Sequence, residues 1–304
     1  MQNLSQQQLD GDAAQALEDA RCQLSQQQQA ECVALDLDHA MCVAVGAAVA
    51  AGNIVNACLQ PGAMSAISDK TSTDPVTEAD KECERLVLDM LTRAFPSCQV
   101  LGEEMSGGDG QLTDAATWVV DPIDGTANFV HSNPYCCISI GLVVRRESVL
   151  GVVYHPATRD MYSCIRGRGA FLNGRRLCVS SVESMERALI ITEMGSQRSE
   201  DWIRHKESAM SAVINLKPQA IRCFGAAALN LCQVAAGRAE AYFEHGPYAW
   251  DLAAASLLCS EAGACVTDMR GAKLDLCARN VLVVVPKLQP LLLHALKDVP
   301  APAS

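Results

Sequence analysis

The sequence lacks an excess of basic residues. Its 304 residues include 24 lysines and arginines against 35 aspartates and glutamates, which gives a formal net charge of −11 at pH 7. A surface for nucleic acid or for anionic membranes needs a basic patch that displaces counterions. The charge balance therefore argues against both kinds of partner, and it is compatible with carboxylates gathered around a cation.

Long apolar runs and a leader sequence are also missing. The longest apolar run, residues 41–52, has about 12 residues, whereas a membrane-spanning helix needs roughly 20. The first residues, MQNLSQQQLD, have neither the basic nor the apolar region of a signal peptide. We therefore predict a cytoplasmic protein with no membrane partner.

Cysteine is plentiful, but paired cysteine motifs are absent. The 15 cysteines form no Cys-x-x-Cys pair and are odd in number. Many of them, such as Cys83, Cys232 and Cys259, fall at apolar positions of periodic segments. Buried thiols in a reducing compartment explain this pattern better than a disulfide framework does.

Several common catalytic motifs are missing. The chain has no G-x-S-x-G, no P-loop and no G-x-G-x-x-G, and its 6 histidines include no i, i+4 pair that would favour zinc. Cys232 and Arg238 have the spacing of cysteine-dependent phosphatases, but the residues between them continue a helix, so we predict a core cysteine. Asp36 and Asp38 open a helix and do not follow a strand, unlike an aspartyl-phosphate nucleophile.

Hydrophobic periodicity predicts a layered α/β fold. Residues 1–30 form a Gln-rich N-terminal extension to which we assign no function, and residues 31–300 form a single domain. Residues 136–180 show a series of strands, with Asn173-Gly174 as a hairpin signal, and strands alternate with helices after them. This order predicts helices that cover mostly antiparallel sheets.

The segment 118–131 (WVVDPIDGTANFVH) carries the clearest chemical signal. A short buried strand ends at Asp121, and Asp124 follows three residues later. The two carboxylates and the carbonyl of Ile123 can converge on one point beyond the strand end. This all-oxygen set suits Mg²⁺, although an ordinary acidic turn also explains the segment when it is taken alone.

Further residues extend this candidate site. Gly125 and Thr126 are expected to begin a helix whose N–H groups face a phosphate. Glu103 follows a short apolar run, and Asp80 and Asp251 lie in the first turns of predicted helices. Each acid is individually an ordinary loop or helix-end residue. If they converge, metal ions are needed to make that charge density tolerable.

These residues form a pattern that resembles the inositol monophosphatase family. The family's motifs are W-x-x-D-P-x-D-G-T-x-N-F, W-D-x-A-A, E-A-G, G-E-E and a lysine-led D-x-V-T-x-x-D. In the same order they match residues 118–129, 250–254, 261–263, 102–104 and 74–80, the last preceded by Lys70. The resemblance covers roughly residues 38–290.

The resemblance implies both a fold and an activity. The implied fold is a layered α-β-α-β-α sandwich with mostly antiparallel sheets, of the sugar phosphatase type, in a single phosphatase domain. The implied activity is hydrolysis of myo-inositol 1-phosphate and related inositol monophosphates by water that two or three Mg²⁺ ions activate. A homodimer and inhibition by Li⁺, which displaces a catalytic Mg²⁺ in this family, are also implied.

The resemblance further implies roles for individual residues. Metal ligands would be Glu103, Asp121, the Ile123 carbonyl, Asp124 and Asp251. The catalytic set would be Asp80, Thr126 and Glu103, in which Asp80 and Thr126 orient the attacking water. The implied substrate-binding residues are Glu103, Ile123, Asp124, Gly125, Thr126, Ser196, Gly225, Ala226, Ala227, Glu244 and Asp251.

Two positions depart from the family pattern. Ala226 stands where members commonly have Ser or Thr, which removes a hydrogen bond of about 0.5–1.5 kcal/mol if the hydroxyl makes one. We expect this change to affect substrate preference. The spacing between Lys70 and Asp80 is one residue shorter than in animal members, so Lys70 corresponds less well.

Other substrates and one other class of function stay open. Inositol monophosphates are the favoured substrates, because the sequence segment from Glu244 to Asp251 is as short as in animal members of the family. Galactose 1-phosphate, histidinol phosphate, fructose 1,6-bisphosphate and 3′-phosphoadenosine 5′-phosphate are alternatives, and the bisphosphates would need a basic cluster that the sequence does not display. A non-catalytic interaction scaffold is the alternative from another class.

Overall fold

The structure is a computed structural model that describes residues 35–60, 67–71, 74–106 and 111–301, the backbone alone over 67–77. By its internal contacts the chain divides into two units, Met1–Cys42 and Val43–Ser304. The layers described below belong to the second unit. The predicted boundary after residue 30 and the side chain of Lys70 lie outside the described parts of the chain.

The elements follow the predicted alternation of strands and helices. The helices are α1 (Leu37–Cys58), α2 (Glu78–Ala94), α3 (Glu103–Ser106), α4 (Thr126–Val130), α5 (Glu200–Ile214), α6 (Ala227–Ala235), α7 (Ala249–Glu261) and α8 (Gln289–Leu296). The strands are β1 (Ile67–Thr71), β2 (Asp74–Thr77), β3 (Gln99–Gly102), β4 (Thr117–Asp124), β5 (Cys137–Val144), β6 (Glu147–His155), β7 (Asp160–Ile165), β8 (Gly169–Leu172), β9 (Arg175–Arg176), β10 (Leu189–Thr192), β11 (Ala220–Arg222), β12 (Ala241–His245), β13 (Cys265–Thr267) and β14 (Asn280–Val284).

The larger sheet contains the predicted meander. Its 7 strands run in the order β3-β4-β5-β6-β7-β8-β9, and every neighbouring pair is antiparallel except β3 and β4. Asn173 and Gly174 join β8 to β9 with φ values of 50° and 77°. Both values lie in the left-handed region that a two-residue hairpin turn requires, so the predicted hairpin is confirmed.

A second, five-stranded sheet separates two apolar cores, and β1 and β2 pair as a separate two-stranded sheet. Its 5 strands run in the order β11-β10-β12-β14-β13, and β10 is parallel to both of its neighbours. Successive side chains of a strand point to opposite faces. Accordingly Ile191 and Tyr242 join the core between the two sheets, while Ile190 and Phe243 join the core on the outer face.

Helices fill the three remaining layers. Helices α6 and α7 lie between the sheets, α2 packs on β3 and β4, and α5 packs beside α8. Helix α7 approaches the large sheet closely, because a Cβ at Gly151 would lie 2.5 Å from the Ala254 carbonyl oxygen. The predicted α-β-α-β-α sandwich with mostly antiparallel sheets is therefore confirmed.

One element boundary at the candidate site differs from the prediction. Strand β4 continues to Asp124 and does not end at Asp121, because the chain keeps pairing with β5 through a register shift between these two residues. Asp124, which the pattern placed beyond the strand end, is therefore held inside a regular element. Helix α7 begins at Ala249, so Asp251 lies in its first turn, as predicted.

Helix α1 is long and apolar enough, by length and composition alone, to cross a bilayer, with 22 residues and a mean hydropathy of 1.7. Its part within the second unit packs on the large sheet. A Cβ at Gly52 would lie 2.5 Å from the ring of Tyr154, and Asn56 Nδ2 donates to the Pro156 carbonyl at 3.1 Å. Absence of a membrane partner stays a prediction.

The cysteines predicted to be buried are buried. Cys83, Cys232 and Cys259 have no exposed surface, and no cysteine among the described residues forms a disulfide. Cys232 lies inside α6, and its burial raises the pKa of its thiol. A nucleophilic cysteine needs a lowered pKa, so Cys232 is a core residue, as predicted.

Candidate active site

Three aspartates meet at one edge of the large sheet. Asp121 and Asp124 come from the end of β4, and Asp251 comes from the first turn of α7. One carboxylate oxygen from each of them lies within 4.8 Å of the other two. Glu103 lines the same cavity and directly follows β3, the parallel neighbour of β4. Glu103 and the two aspartates of β4 therefore lie at one edge because parallel strands end at the same edge, and helix α7 adds Asp251 to them.

Backbone amides hold each of the three aspartates in place. Asp121 Oδ1 accepts a hydrogen bond from Ile123 N at 3.0 Å, and Asp251 Oδ2 accepts from Tyr248 N at 2.7 Å. The two oxygens of Asp124 accept from the first two amides of α6, at 3.0 and 2.7 Å. An amide donor that bonds to a carboxylate oxygen leaves further lone pairs on that oxygen for a cation.

Burial and mutual repulsion disfavour ionisation of these carboxyls. Burial raises the pKa of Asp121 well above its usual value, and the charges of Glu103, Asp124 and Asp251 raise it further. Burial and the Asp124 charge raise the pKa of Asp251 to about 7. Burial also raises the pKa of Asp124 to about 7, although its two amide bonds act in the opposite direction.

This donor set fits a hard divalent cation. The three aspartates offer oxygen ligands, and Mg²⁺ prefers carboxylate, carbonyl and water ligands. A cation bound there would offset the repulsion that raises the pKa values. The residues present therefore suit the metal that the sequence predicts.

Thr126 connects the aspartate cluster to Asp80. Its hydroxyl lies 2.9 Å from the Ile123 carbonyl oxygen and 3.4 Å from Asp80 Oδ1, and either can accept its proton. Helix α4 begins at Thr126, as predicted, and Gly125 precedes it with a φ of 90°. A side chain at Gly125 would be strained by this φ and would approach the Gly225 carbonyl to 3.1 Å.

A cavity of about 270 Å³ opens over the cluster. Most of the predicted site residues line it, whereas Asp80 and Ala226 do not. Asp80 is reached through Thr126, and Ala226 is buried in the core between the sheets. The predicted residues that line the cavity are Glu103, Asp121, Ile123, Asp124, Gly125, Thr126, Ser196, Gly225, Ala227, Glu244 and Asp251.

Ala226 occupies the N-cap position of α6. An N-cap Ser or Thr usually accepts a hydrogen bond from an amide of the first helical turn, but an alanine makes no such bond. Asp124 takes the amides of Ala227 and Ala228 instead. The residue that departs from the family pattern therefore stands at the N-terminus of the helix whose first two amides bond to Asp124.

Glu193 and Asn128 are two functional candidates that the sequence patterns did not single out. Glu193 Oε1 accepts from the amides of Phe224 and Gly225 at 2.6 and 2.8 Å and from Asn230 Nδ2 at 2.8 Å. Asn128 Nδ2 donates to the Phe224 carbonyl at 2.7 Å. Together they fix the loop before α6. Asn128 could have been noticed, because it is the asparagine of the first family motif.

Arg279 is the one lysine or arginine among the described residues that line the cavity. Its guanidinium lies 3.8 Å from the centre of the Tyr248 ring, and its Nε and Nη2 donate to the Gly246 carbonyl at 3.0 and 2.7 Å. Two of its five N–H donors are therefore used within the protein. The described wall has no basic cluster for a second phosphate.

Two histidines that the sequence leaves scattered come together at the cavity, where His245 is part of the lining. The rings of His205 and His245 lie 4.5 Å apart in an edge-on arrangement, and His205 Nδ1 lies 2.7 Å from the Pro300 carbonyl oxygen. Burial lowers the pKa of His205, and burial together with the charge of His205 lowers that of His245 to about 4. Neutral rings are thus favoured at this position.

Comparison with known proteins relates this site to one family. A model of the inositol monophosphatase family matches residues 36–301. Inositol monophosphatase 2 of Solanum lycopersicum is 41% identical over 262 residues, which are 84% of this chain and 97% of that protein. Inositol monophosphatase 2 of Homo sapiens is 42% identical over 242 residues, 79% and 83% of the two chains.

A solved structure shares the fold. The extragenic suppressor protein suhB from Bartonella henselae superposes with a TM-score of 0.78 at 31% sequence identity. The match covers 86% of this chain and 99% of that chain.

Removing one charge from the cluster should stabilise the protein when no metal is present. An acid whose pKa is raised on folding lowers stability as the pH rises from its unfolded pKa through its folded pKa. We expect Asp121→Asn, measured in EDTA at pH 8, to raise the free energy of unfolding by about 1–3 kcal/mol. At pH 5 the gain should shrink, because the wild-type carboxyls then retain protons.

Urea denaturation of both proteins at both pH values tests this expectation. His205 and His245 also titrate with lowered pKa values, but they do so in both proteins and cancel in the difference. An Asp121→Asn protein that is no more stable than the wild type at pH 8 would show that the carboxylates do not repel one another.

A serine at position 226 should strengthen the start of α6. In Ala226→Ser the hydroxyl can accept from the amide of Leu229, the third helical residue, because Asp124 takes only the first two amides. An N-cap serine is worth about 1 kcal/mol over alanine. Thermal denaturation measures the gain. The matched control is Ala236→Ser at the C-cap of the same helix, where no first-turn amide is in reach. Equal effects of the two substitutions would contradict the N-cap explanation.

Proposed function

The chain belongs to the inositol monophosphatase family, and on that premise we propose that it is a magnesium-dependent phosphatase of myo-inositol 1-phosphate. Family membership itself makes it a phosphatase that hydrolyses phosphate monoesters. The metal, the substrate and the roles of the residues are the proposal. The observation that carries it is the group of buried carboxylates whose pKa values are raised by burial and by one another.

Glu103, Asp121, Asp124, Asp251 and the Ile123 carbonyl are the proposed metal ligands. All of them line the cavity, and amides already hold three of the carboxylates in fixed orientations. When bound, two or three Mg²⁺ ions supply an activated water and offset the negative charge that develops on the phosphoryl and leaving oxygens.

Asp80 and Thr126 are proposed to orient the attacking water. The Thr126 hydroxyl can donate its proton to Asp80 Oδ1, which lies 3.4 Å away. Thr126 Oγ1 then keeps its lone pairs to accept a proton from the water. Asp80 is buried in the first turn of α2, so it acts on the water through Thr126 and not by direct contact with the cavity.

The substrate would lie across the cavity from its phosphate to its polyol. Amides at Gly125 and Thr126 would receive the phosphate, next to the aspartates. The polyol would face Ser196, Gly225, Ala227 and Glu244, all of which line the cavity. Ala226 would contribute through its backbone, because its side chain packs into the core.

A monophosphate suits this cavity better than a bisphosphate. A second phosphate needs further basic donors, and Arg279, the one lysine or arginine of the described lining, has two of its five N–H groups bonded to the Gly246 carbonyl. Galactose 1-phosphate and histidinol phosphate are the competing monophosphates. A homodimer, inhibition by Li⁺ and a cytoplasmic location complete the proposal and rest on the family resemblance.

Phosphate release from a panel of substrates tests the proposed activity. The panel contains inositol 1-phosphate, galactose 1-phosphate, histidinol phosphate and fructose 1,6-bisphosphate, each with and without Mg²⁺. We expect Mg²⁺-dependent turnover that is fastest on inositol 1-phosphate and that millimolar Li⁺ suppresses. Asp121→Asn should lose about three orders of magnitude or more in rate, because a metal ligand is removed.

The control is Asp114→Asn, which changes an aspartate that is 83% exposed. It should keep the wild-type rate. An active Asp121→Asn protein would overturn the metal assignment, and preference for another monoester would overturn the substrate alone. No turnover on any member of the panel would favour the interaction scaffold.

A further inference from the structure

A buried lysine lies behind one wall of the cavity and has no role in the mechanism above. Lys206, in the second turn of α5, is 7% exposed, and its Nζ lies 3.4 Å from Glu244 Oε1. The same Nζ donates to the carbonyl oxygens of Glu193 at 3.0 Å and His245 at 2.7 Å. An ammonium group has three N–H donors, so these contacts use all of them. Lys206 is therefore a positioning residue that can act on a substrate only through its partners.

The main partner is a carboxylate that does face the cavity. Glu244 lines the cavity although it is only 5% exposed. Its Oε2 accepts a hydrogen bond from the Tyr242 hydroxyl, and Lys206 bonds to Oε1. A carboxylate has about four lone-pair positions, so both oxygens can still accept a hydrogen bond. Glu244 is therefore an acceptor suited to hydroxyl groups.

The charge of Lys206 is what makes this buried acceptor favourable. A buried carboxylate without a compensating cation is strongly destabilising, whereas a paired one with further hydrogen bonds is tolerated. The lysine supplies that cation from the side of Glu244 that does not face the cavity. A hydroxyl of the substrate can then approach the other side.

Lys206 also connects Glu244 to the loop before α6. The Glu193 and His245 carbonyls follow β10 and end β12, which are parallel neighbours. The Glu193 carboxylate in turn holds the amides of Phe224 and Gly225. One ammonium group thus fixes the ends of two strands whose side chains form the polyol end of the cavity.

We propose that Lys206 determines substrate specificity by holding Glu244 as a charged hydroxyl acceptor. The enzyme would thereby prefer leaving groups that carry several hydroxyls to leaving groups that carry none. The inference rests on the proposed function, because it assumes that the polyol lies against Glu244.

The test compares two phosphate esters with Mg²⁺ present: inositol 1-phosphate and 4-nitrophenyl phosphate, whose leaving group has no further hydroxyl. In Lys206→Met we expect the ratio of kcat/KM for the first ester to that for the second to fall about tenfold to a hundredfold, the size of a lost charge-assisted hydrogen bond. The fall in this ratio should come mainly from a higher KM for inositol 1-phosphate. The matched control is Lys287→Met, at a lysine that is 70% exposed and 3.9 Å from Glu183, and it should leave the ratio unchanged.

A double-mutant cycle with Glu244→Gln separates positioning from a general structural effect. Lys206→Met/Glu244→Gln has no unpaired buried charge, so it remains measurable even if the single lysine variant folds poorly. If Lys206 acts through Glu244, the double variant loses no more selectivity than Glu244→Gln alone. Losses that add, or an unchanged ratio in a folded Lys206→Met protein, overturn the inference. A wild type that hydrolyses neither ester instead overturns the proposed function.

Discussion

The cost of holding three carboxyl groups close together and away from water is the constraint on which the site depends. Asp121, Asp124 and Asp251 place oxygens within 4.8 Å of one another, and each has a raised pKa. The fold resists the repulsion between these groups in two ways. The aspartates stand on regular elements that cannot move apart, and backbone amides, including the first two of α6, bond to their oxygens. The remaining repulsion is what favours a divalent cation.

At the proposed polyol end of the cavity, buried negative charge is balanced in a different way. Glu244 is buried there, and a single ammonium group, Lys206, pairs with its carboxylate. Charge at one end of the cavity is thus left unpaired by basic side chains of the described lining, while charge at the other end is balanced within the chain. The difference fits the proposed function, in which one end binds ions and phosphate and the other recognises neutral hydroxyls.

Local patterns predicted the elements well and predicted the side-chain network poorly. The strand that carries Asp121, the helix that starts at Thr126 and the hairpin at Asn173 follow from local sequence, because turn residues and periodicity act over a few positions. The convergence of Asp251 with the other aspartates depends on the packing of α7 against the large sheet, and only the family motifs pointed to it. Lys206 could not be predicted, since a lysine on an otherwise polar helix normally lies in solvent.

Titration of Mg²⁺ into metal-free protein by calorimetry tests the central claim, that the aspartate cluster is a divalent-cation site. The account predicts two or three ions per chain, with protons released on binding near pH 6.5, because carboxyls with raised pKa values must lose their protons to bind a metal. Repeating the titration in buffers of different ionisation enthalpy gives the number of protons. Binding that is absent, or that Asp121→Asn leaves unchanged, would contradict the account.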